Sequence, residues 1–314
     1  MDHQKKSETS SGLLTECRCP FCSQPIHESK KSQPVDNHSP LFEKIQFRIA
    51  DCASCGIGVT YPQVHPDKLE LLYSGRSSND FHPNENNWVR RIKMWSAKKS
   101  TLRLLETIKK MSSIRIQQVL DYGCGNGDFS LALQSIIESK TQVTASDFED
   151  LPPQQLINKV TYYSLSKLRS LKAHFDLIYC RHVLEHTADP TSLMMELKSL
   201  LSPGGILVIE IPSYETIWKS IFRQHWEGFY APYHYHHFTS QSMRTLMNRL
   251  GLEILELKGI EMPLMGRSLY TMIGRKHLPY FPFFCLGIAL HPIQILASYL
   301  TRTSTALRLV IRRP

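Results

Sequence analysis

Two spacings of apolar residues alternate along the second half of the chain. An apolar run from Ile116 to Leu120 ends in Asp121, and another from Val143 to Ser146 ends in Asp147. Between them Phe129, Leu133, Ile136 and Ile137 recur on one face of a helix. The alternation continues with Phe175 to Cys180 and with the buried-strand run Ile206 to Ile211, which follows the helix-ending turn Pro203-Gly204-Gly205. Met243, Leu246, Met247 and Leu250 then sit at helical spacing, with Thr239 or Ser240 as N-cap and Gly251 as the stop. Leu252 to Leu257 and Ala306 to Ile311 read as two further strands. Strands alternating with helices predict an α/β sheet with helices on both faces. Residues from Asp67 to Ser112 read as helical, with Trp88, Trp95, Leu102 and Leu105 among basic residues.

The segment Val119 to Gly127 places three glycines, Gly123, Gly125 and Gly127, between the first run and its helix. Glycine reaches positive φ and lets a ligand approach the backbone without meeting a Cβ. Asp147, at the end of the next strand, is placed to bond ribose hydroxyls. A dinucleotide site calls for G-x-G-x-x-G, with pyrophosphate on the helix N-terminus. Here the pattern is D-x-G-x-G-x-G, from Asp121 to Gly127.

That pattern resembles the first motif of class I S-adenosylmethionine-dependent methyltransferases. The stretch Phe175 to His186 is similar to the family's fourth strand and its turn, and His234 to Thr239 is similar to the entry of its last helix. The resemblance covers roughly 200 residues. It implies a Rossmann-like seven-stranded, mostly parallel sheet, with Ala306 to Ile311 inserted antiparallel beside strands five and six. It implies S-adenosyl-L-methionine as cofactor, held by Gly123, Gly125, Gly127 and Asp147, with Asp121 on the ammonium side and Phe148 on the adenine. Arg181 or His182 would touch cofactor or acceptor. His186 reads as a hydrogen-bonded structural histidine. The third strand departs from the pattern: Ser164 or Ser166 stands where an acid usually faces the adenine amino group.

Cys19, Cys22, Cys52 and Cys55 form two C-x2-C pairs with 29 residues between them. Two such knuckles can arrange four thiolates tetrahedrally around Zn²⁺ and leave no open position for chemistry, so a zinc here is structural. Cys17 is an alternative to Cys19, and His27 and His38 read as solvated loop histidines. The expected organisation is a disordered tail at 1–15, a zinc-ribbon-like module at 16–65, a helical lid or linker at 66–112 carrying the lid candidates Tyr73 and Phe81, and a methyltransferase domain at 113–314. That domain carries an acceptor-side insertion at 213–238 and an apolar helical insertion at 277–301. Many small-molecule methyltransferases have a similar zinc module.

Methyl transfer from a sulfonium is an in-line displacement, so the enzyme mainly aligns nucleophile, carbon and sulfur and excludes water. A base is needed only where the acceptor keeps its proton until the transition state. His234, then His237, are the candidate bases. With His236 they follow the fifth strand in an aromatic insertion (Trp218, Phe222, Trp226, Phe229, Tyr230, Tyr233, Tyr235), at the strand ends where open α/β sheets bind ligands. The chain has no Asn/Asp-Pro-Pro-Tyr motif, which disfavours methylation of nucleobase amines. The acceptor is therefore expected to be an oxygen, or an activated carbon, of a small-molecule, sugar or lipid-like compound. Two rivals are an RNA methyltransferase using the ribbon to grip nucleic acid and a non-catalytic binding protein on the same fold.

The chain of 314 residues, 42% hydrophobic and 21% charged, has the composition of a globular protein. No basic start, apolar stretch and cleavage site opens it, which predicts a cytoplasmic protein with reduced cysteines. A formal net charge of +9 is compatible with an anionic surface or nucleic acid. The cations are scattered and lack an RNA-binding signature, so nucleic acid is not the expected partner. Leu278 to Thr301 contains no Lys, Arg, Asp or Glu. It is long enough to span a bilayer. The strand after it returns the chain to the sheet, leaving a helical hairpin that packs on the domain or mediates homo-oligomerisation, touches the inner face of a membrane at its interface, or inserts into it.

Overall fold

A computed structural model describes residues 14–15, 18–23, 26, 32–42, 44–65, 72, 87–171, 174–273 and 278–314. The lid candidates Tyr73 and Phe81, and Cys17 and His27, lie outside the described residues. Leu14–Thr15, at the end of the tail expected to be disordered, pairs antiparallel with Gln63–Val64, and three further short strands follow it: β1 (Gln33–Pro34), β2 (Arg48–Asp51) and β3 (Gly58–Tyr61). A long helix, α1 (Asn87–Met111), leads to β4 (Gln118–Tyr122), α2 (Asp128–Gln134), β5 (Gln142–Asp147), β6 (Thr161–Ser164) and α3 (Leu165–Ser170). Then come β7 (Phe175–Arg181), α4 (Pro190–Leu200), β8 (Leu201–Pro212), α5 (Trp218–Phe222), β9 (His236–His237) and α6 (Ser240–Arg249). The chain closes with β10 (Glu253–Ile260), α7 (Met265–Ile273), α8 (Phe281–Thr301) and β11 (Ala306–Arg312).

Seven strands form the central sheet in the order β10-β11-β8-β7-β4-β5-β6. Pairs from β8 through β6 are parallel, while β11 lies antiparallel to both β8 and β10. This is the expected α/β architecture, with the last strand inserted antiparallel. The two-residue strand period decides what lies on each face. Val119, Leu177, Tyr179, Val208 and Val310 pack under Leu104, Leu105 and Ile108 of α1 and Leu133 of α2. Leu120, Ile178, Cys180, Leu207 and Ile311 point the other way, onto Leu197 of α4 and Met243, Leu246 and Met247 of α6. Because both faces are covered, these strands read as near-continuous apolar runs. Thr239 caps α6 as expected: its side chain accepts from the backbone N–H of Ser242, whose hydroxyl in turn accepts from the N–H of Thr239.

Strands β1 to β3 do not end in a sheet of their own. The order of the second sheet is β9-β3-β2-β1, so His236 and His237 pair with Val59 and Gly58 across more than 170 residues of sequence. The boundary expected at residue 65 is therefore crossed by backbone pairing. His38, expected in solvent, is buried with its ring edge-on to Tyr230 at 4.8 Å, because its backbone N–H donates to the carbonyl of Ala231. The apolar segment near residue 280 forms a single helix, α8. Its hairpin partner is α7, which hydrophobic spacing alone had not singled out.

Replacing Leu207, fully buried between the sheet and α4/α6, with alanine is expected to cost about 2–5 kcal/mol. Urea unfolding checks this: the midpoint should fall while the slope stays unchanged.

Candidate active site

The three glycines of the turn do different work, although all have positive φ. A Cβ on Gly123 would fall 2.3 Å from Cγ2 of Val183, and one on Gly127 would fall 2.6 Å from Cγ of Leu156. Those two positions are glycine because the protein itself packs there. Above Gly125, at φ +53°, there is nothing within 4 Å. Only this glycine faces open space, and its backbone N–H donates to Oδ2 of Asp147 at 2.6 Å. The other Asp147 oxygen accepts from the N–H of Phe148, whose ring is 65% exposed. Burial raises the Asp147 carboxyl above the ordinary carboxylate range.

Asp121 ends β4 one strand away. It is buried, accepts the Ser130 hydroxyl proton, and is pushed up to about 6, chiefly by burial against the opposing pull of Ser130 and Arg181. Arg181 ends β7 with its guanidinium 4.2 Å from the centre of the Phe129 ring. Its Nε donates to Glu210 at 2.6 Å, and Nε of Arg308 donates to the other oxygen of Glu210 at the same distance. Burial raises the Glu210 carboxyl, but the two arginines overcome this and hold it at about 2. His182, at φ +55°, donates its backbone N–H to the Glu210 carbonyl and sets Nδ1 3.3 Å from Glu185. Glu210 was not singled out from the sequence. The available signal was a lone acid within the apolar run Ile206 to Ile211.

His234, His236 and His237 of the aromatic insertion are buried, and burial holds all three below the usual imidazole range. His186 donates Nδ1–H to the carbonyl of Tyr233, and His234 donates Nδ1–H to the carbonyl of Gly228. With the proton on Nδ1, Nε2 is the accepting nitrogen of each ring. Their rings meet edge-to-face at 4.6 Å. Burial, followed by the charges of His186 and His237, keeps His234 well below the usual imidazole range. One potential ligand atom from each of Glu185, His186 and His234 lies within 4.8 Å of the others. His237 differs. Thr60 donates its hydroxyl proton to the carbonyl of His234, so His237, 2.9 Å away, must use Nε2 as the donor to Thr60. Burial holds His237 at about 3. His236 points elsewhere, to the carbonyl of Thr187. Sequence reading had no signal for Thr60, which lies on β3.

The four cysteine sulfurs of the two knuckles converge, all within 4.8 Å of one another, with Cys19 and Cys55 at 3.1 Å and Cys22 and Cys52 at 3.5 Å. Sulfurs on a tetrahedral zinc with Zn–S near 2.3 Å are roughly 3.8 Å apart, so the donor set fits that ion. Burial and then Cys19 and Cys52 push the Cys55 thiol well up; a cation among the four would reverse that. The aromatics of the insertion, Tyr214, Trp218, Phe222, Trp226, Phe229 and Tyr233, form one buried cluster with Val35, Phe47 and Ile49 of the N-terminal segment. A cavity of about 320 Å³ beside Leu156 runs along the end of β6 to Ser164. There the hydroxyls of Ser164 and Ser166 sit 3.0 Å apart.

A family described as "Methyltransferase domain" matches residues 90–257. A ubiquinone biosynthesis O-methyltransferase of Hydrogenovibrio crunogenus is 30% identical over 139 residues, 40% of this chain and 56% of that protein. One from Nitrosospira multiformis is 37% identical over 100 residues, 28% of this chain and 40% of that protein. The chain thus spans about half the length of the curated relatives it matches. Among solved structures, magnesium protoporphyrin IX methyltransferase from Synechocystis, with bound SAH, aligns with a TM-score of 0.47 at 15% identity, over 79% of this chain and 97% of that one.

Asp121 gives a pH test. Its folded pKa, about 6, lies above the ordinary 3.8, so the folded state holds the proton more tightly. Its contribution to stability is full below about pH 4 and is lost as pH rises through about 6. Asp121→Asn is expected to remove this loss, on the order of 3 kcal/mol, in denaturation series run at several pH values. Parallel pH curves for the two proteins would refute the assignment.

Proposed function

The chain belongs to the methyltransferase domain family, and from that premise we propose that it transfers a methyl group from S-adenosyl-L-methionine to an oxygen, or an activated carbon, of a small-molecule, sugar or lipid-like acceptor. The observation that carries this reading is the open face of Gly125, with Asp147 hydrogen-bonded to its N–H. The ribose hydroxyls of the cofactor would take over Asp147, Phe148 would cover the adenine, and the Gly123–Gly127 turn would lie against the amino-acid end. Asp121 and Arg181 complete that end. A bound cofactor supplies an electrophilic methyl carbon on a sulfonium. The remaining work is done by this chain's own groups: holding the acceptor in line, keeping water out, and removing its proton.

His234 is the proposed base. Its proton sits on Nδ1, donated to the carbonyl of Gly228, so Nε2 is the nitrogen that can accept a proton. A buried, neutral imidazole accepts a proton only while the acceptor loses one, which suits general-base work concerted with transfer. His237 is the weaker candidate because its Nε2 is engaged by Thr60. The names of the relatives favour oxygen as the methylated atom. The convergent sulfurs of Cys19, Cys22, Cys52 and Cys55 support a structural zinc; in that role its loss would unseat β2 and β3 and leave the glycine turn in place.

Calorimetric titration with S-adenosylhomocysteine should give micromolar binding, and Gly125→Arg should abolish it while the circular dichroism spectrum is retained. Unchanged binding by that variant would sink the site assignment. His234→Ala should lower turnover roughly 10²–10⁴-fold on an acceptor found by screening hydroxylated compounds, with the cofactor affinity unaltered. Equal turnover would remove it as the base.

A further inference from the structure

Helix α8 is amphipathic the wrong way round for a protein in water. At about 100° per residue, its buried positions Gly287, Gln294 and Ser298 form one narrow stripe. Leu286, Ile288, Ile293, Ile295, Leu296 and Leu300 cover roughly the opposite half of the circumference, each between 44% and 70% exposed. The small and polar residues face the protein and the large aliphatic ones face away.

The inward stripe holds α8 on the domain through polar contacts. Gln294 donates Nε2–H to the carbonyl of Met262 at 2.6 Å and to Glu261 at 2.8 Å, and Ser298 accepts the indole N–H of Trp218 at 3.1 Å. Gly287 meets Gly266 of α7 backbone to backbone: a Cβ on Gly266 would fall 2.3 Å from the carbonyl oxygen of Phe283. Small residues at the crossing with large apolar ones outside is how helices pack where the surrounding medium is hydrocarbon.

Three further observations choose a lipid surface as the occupant. The 21 residues of α8, about 31 Å long, include no Asp, Glu, Lys or Arg. Their outward arc therefore has none of the polar rim that a protein partner's interface carries. A cation ends the arc: Arg302 is exposed at the C-terminal end of α8. Together with a net charge of +9, it complements anionic headgroups. Lastly, Ile260 and Ala306 are register partners of the antiparallel pair β10–β11. The α7–α8 excursion leaves and re-enters the sheet at one point, which fits insertion into one leaflet and not a crossing.

We propose that the α7–α8 hairpin docks this protein on an anionic lipid surface, with the Leu286–Leu300 arc of α8 lying among the acyl chains. This stands independently of the methyl-transfer reading. The test is flotation of the full-length, zinc-loaded chain with vesicles of phosphatidylcholine, with and without phosphatidylglycerol. The chain should float with the anionic vesicles. Ile288→Glu and Leu296→Glu, both at exposed positions, should each lower the vesicle-bound fraction more than about tenfold, with the melting temperature and S-adenosylhomocysteine binding unchanged. Met195→Glu, exposed on α4, should float like the parent. Absence of flotation by the parent, or flotation indifferent to both α8 substitutions, overturns the proposal. So does a dimer, seen by light scattering, that the same substitutions disperse while vesicles recruit nothing; that outcome assigns the arc to a second copy.

Discussion

A buried carboxylate in mid-sheet cannot stand alone, and this fold is arranged around meeting that requirement. Glu210 lies within the most apolar strand, is 4% exposed, and is reached by Arg181 from β7 on one side and Arg308 from β11 on the other. An unpaired ion there would cost several kcal/mol. The pairing therefore favours one register on each side, at the junction where the sheet changes from parallel to antiparallel. The same contact holds Arg181 over Phe129, at the end of β7. His182 bonds the backbone carbonyl of the same residue. One acid thus ties the sheet register to the placing of Arg181 and His182.

A second tie joins the cysteine knuckles to the histidines. Strand β3 follows Cys55 directly and pairs with His236 and His237. Thr60 bonds the carbonyl of His234 and contacts the ring of His237. Asp36 accepts from His225, and its N–H donates to the carbonyl of Gln224. The N-terminal segment is less an appended domain than one side of a buried aromatic core whose other side is the insertion after β8.

The central sheet was legible because its strands are buried on both faces, so their apolar runs end at clear punctuation such as Asp121, Asp147 and Pro203-Gly204-Gly205. The glycine turn was legible as a motif, but its division of labour was not. Whether Gly123 meets Val183 or Gly125 meets solvent depends on chain segments far apart in sequence. The pairing of β9 with β3 was invisible for the same reason, since two residues on each side leave no periodicity to read. His38 was misjudged because a polar loop composition says nothing of Tyr230, which arrives from nearly two hundred residues away. Glu210 and Thr60 carry weight only through partners brought by topology.

The hairpin formed by α7 and α8 has a consequence for how the chain can be altered. It hangs from the paired ends of β10 and β11, and the entropy of closing a loop grows only logarithmically with its length. The sheet is therefore nearly indifferent to what is spliced between Ile260 and Ala306. A short turn in that place would leave the strand pairing intact, and other excursions could be exchanged there. The proposed lipid contact could thus be altered in one uninterrupted stretch of sequence, without rewriting the sheet.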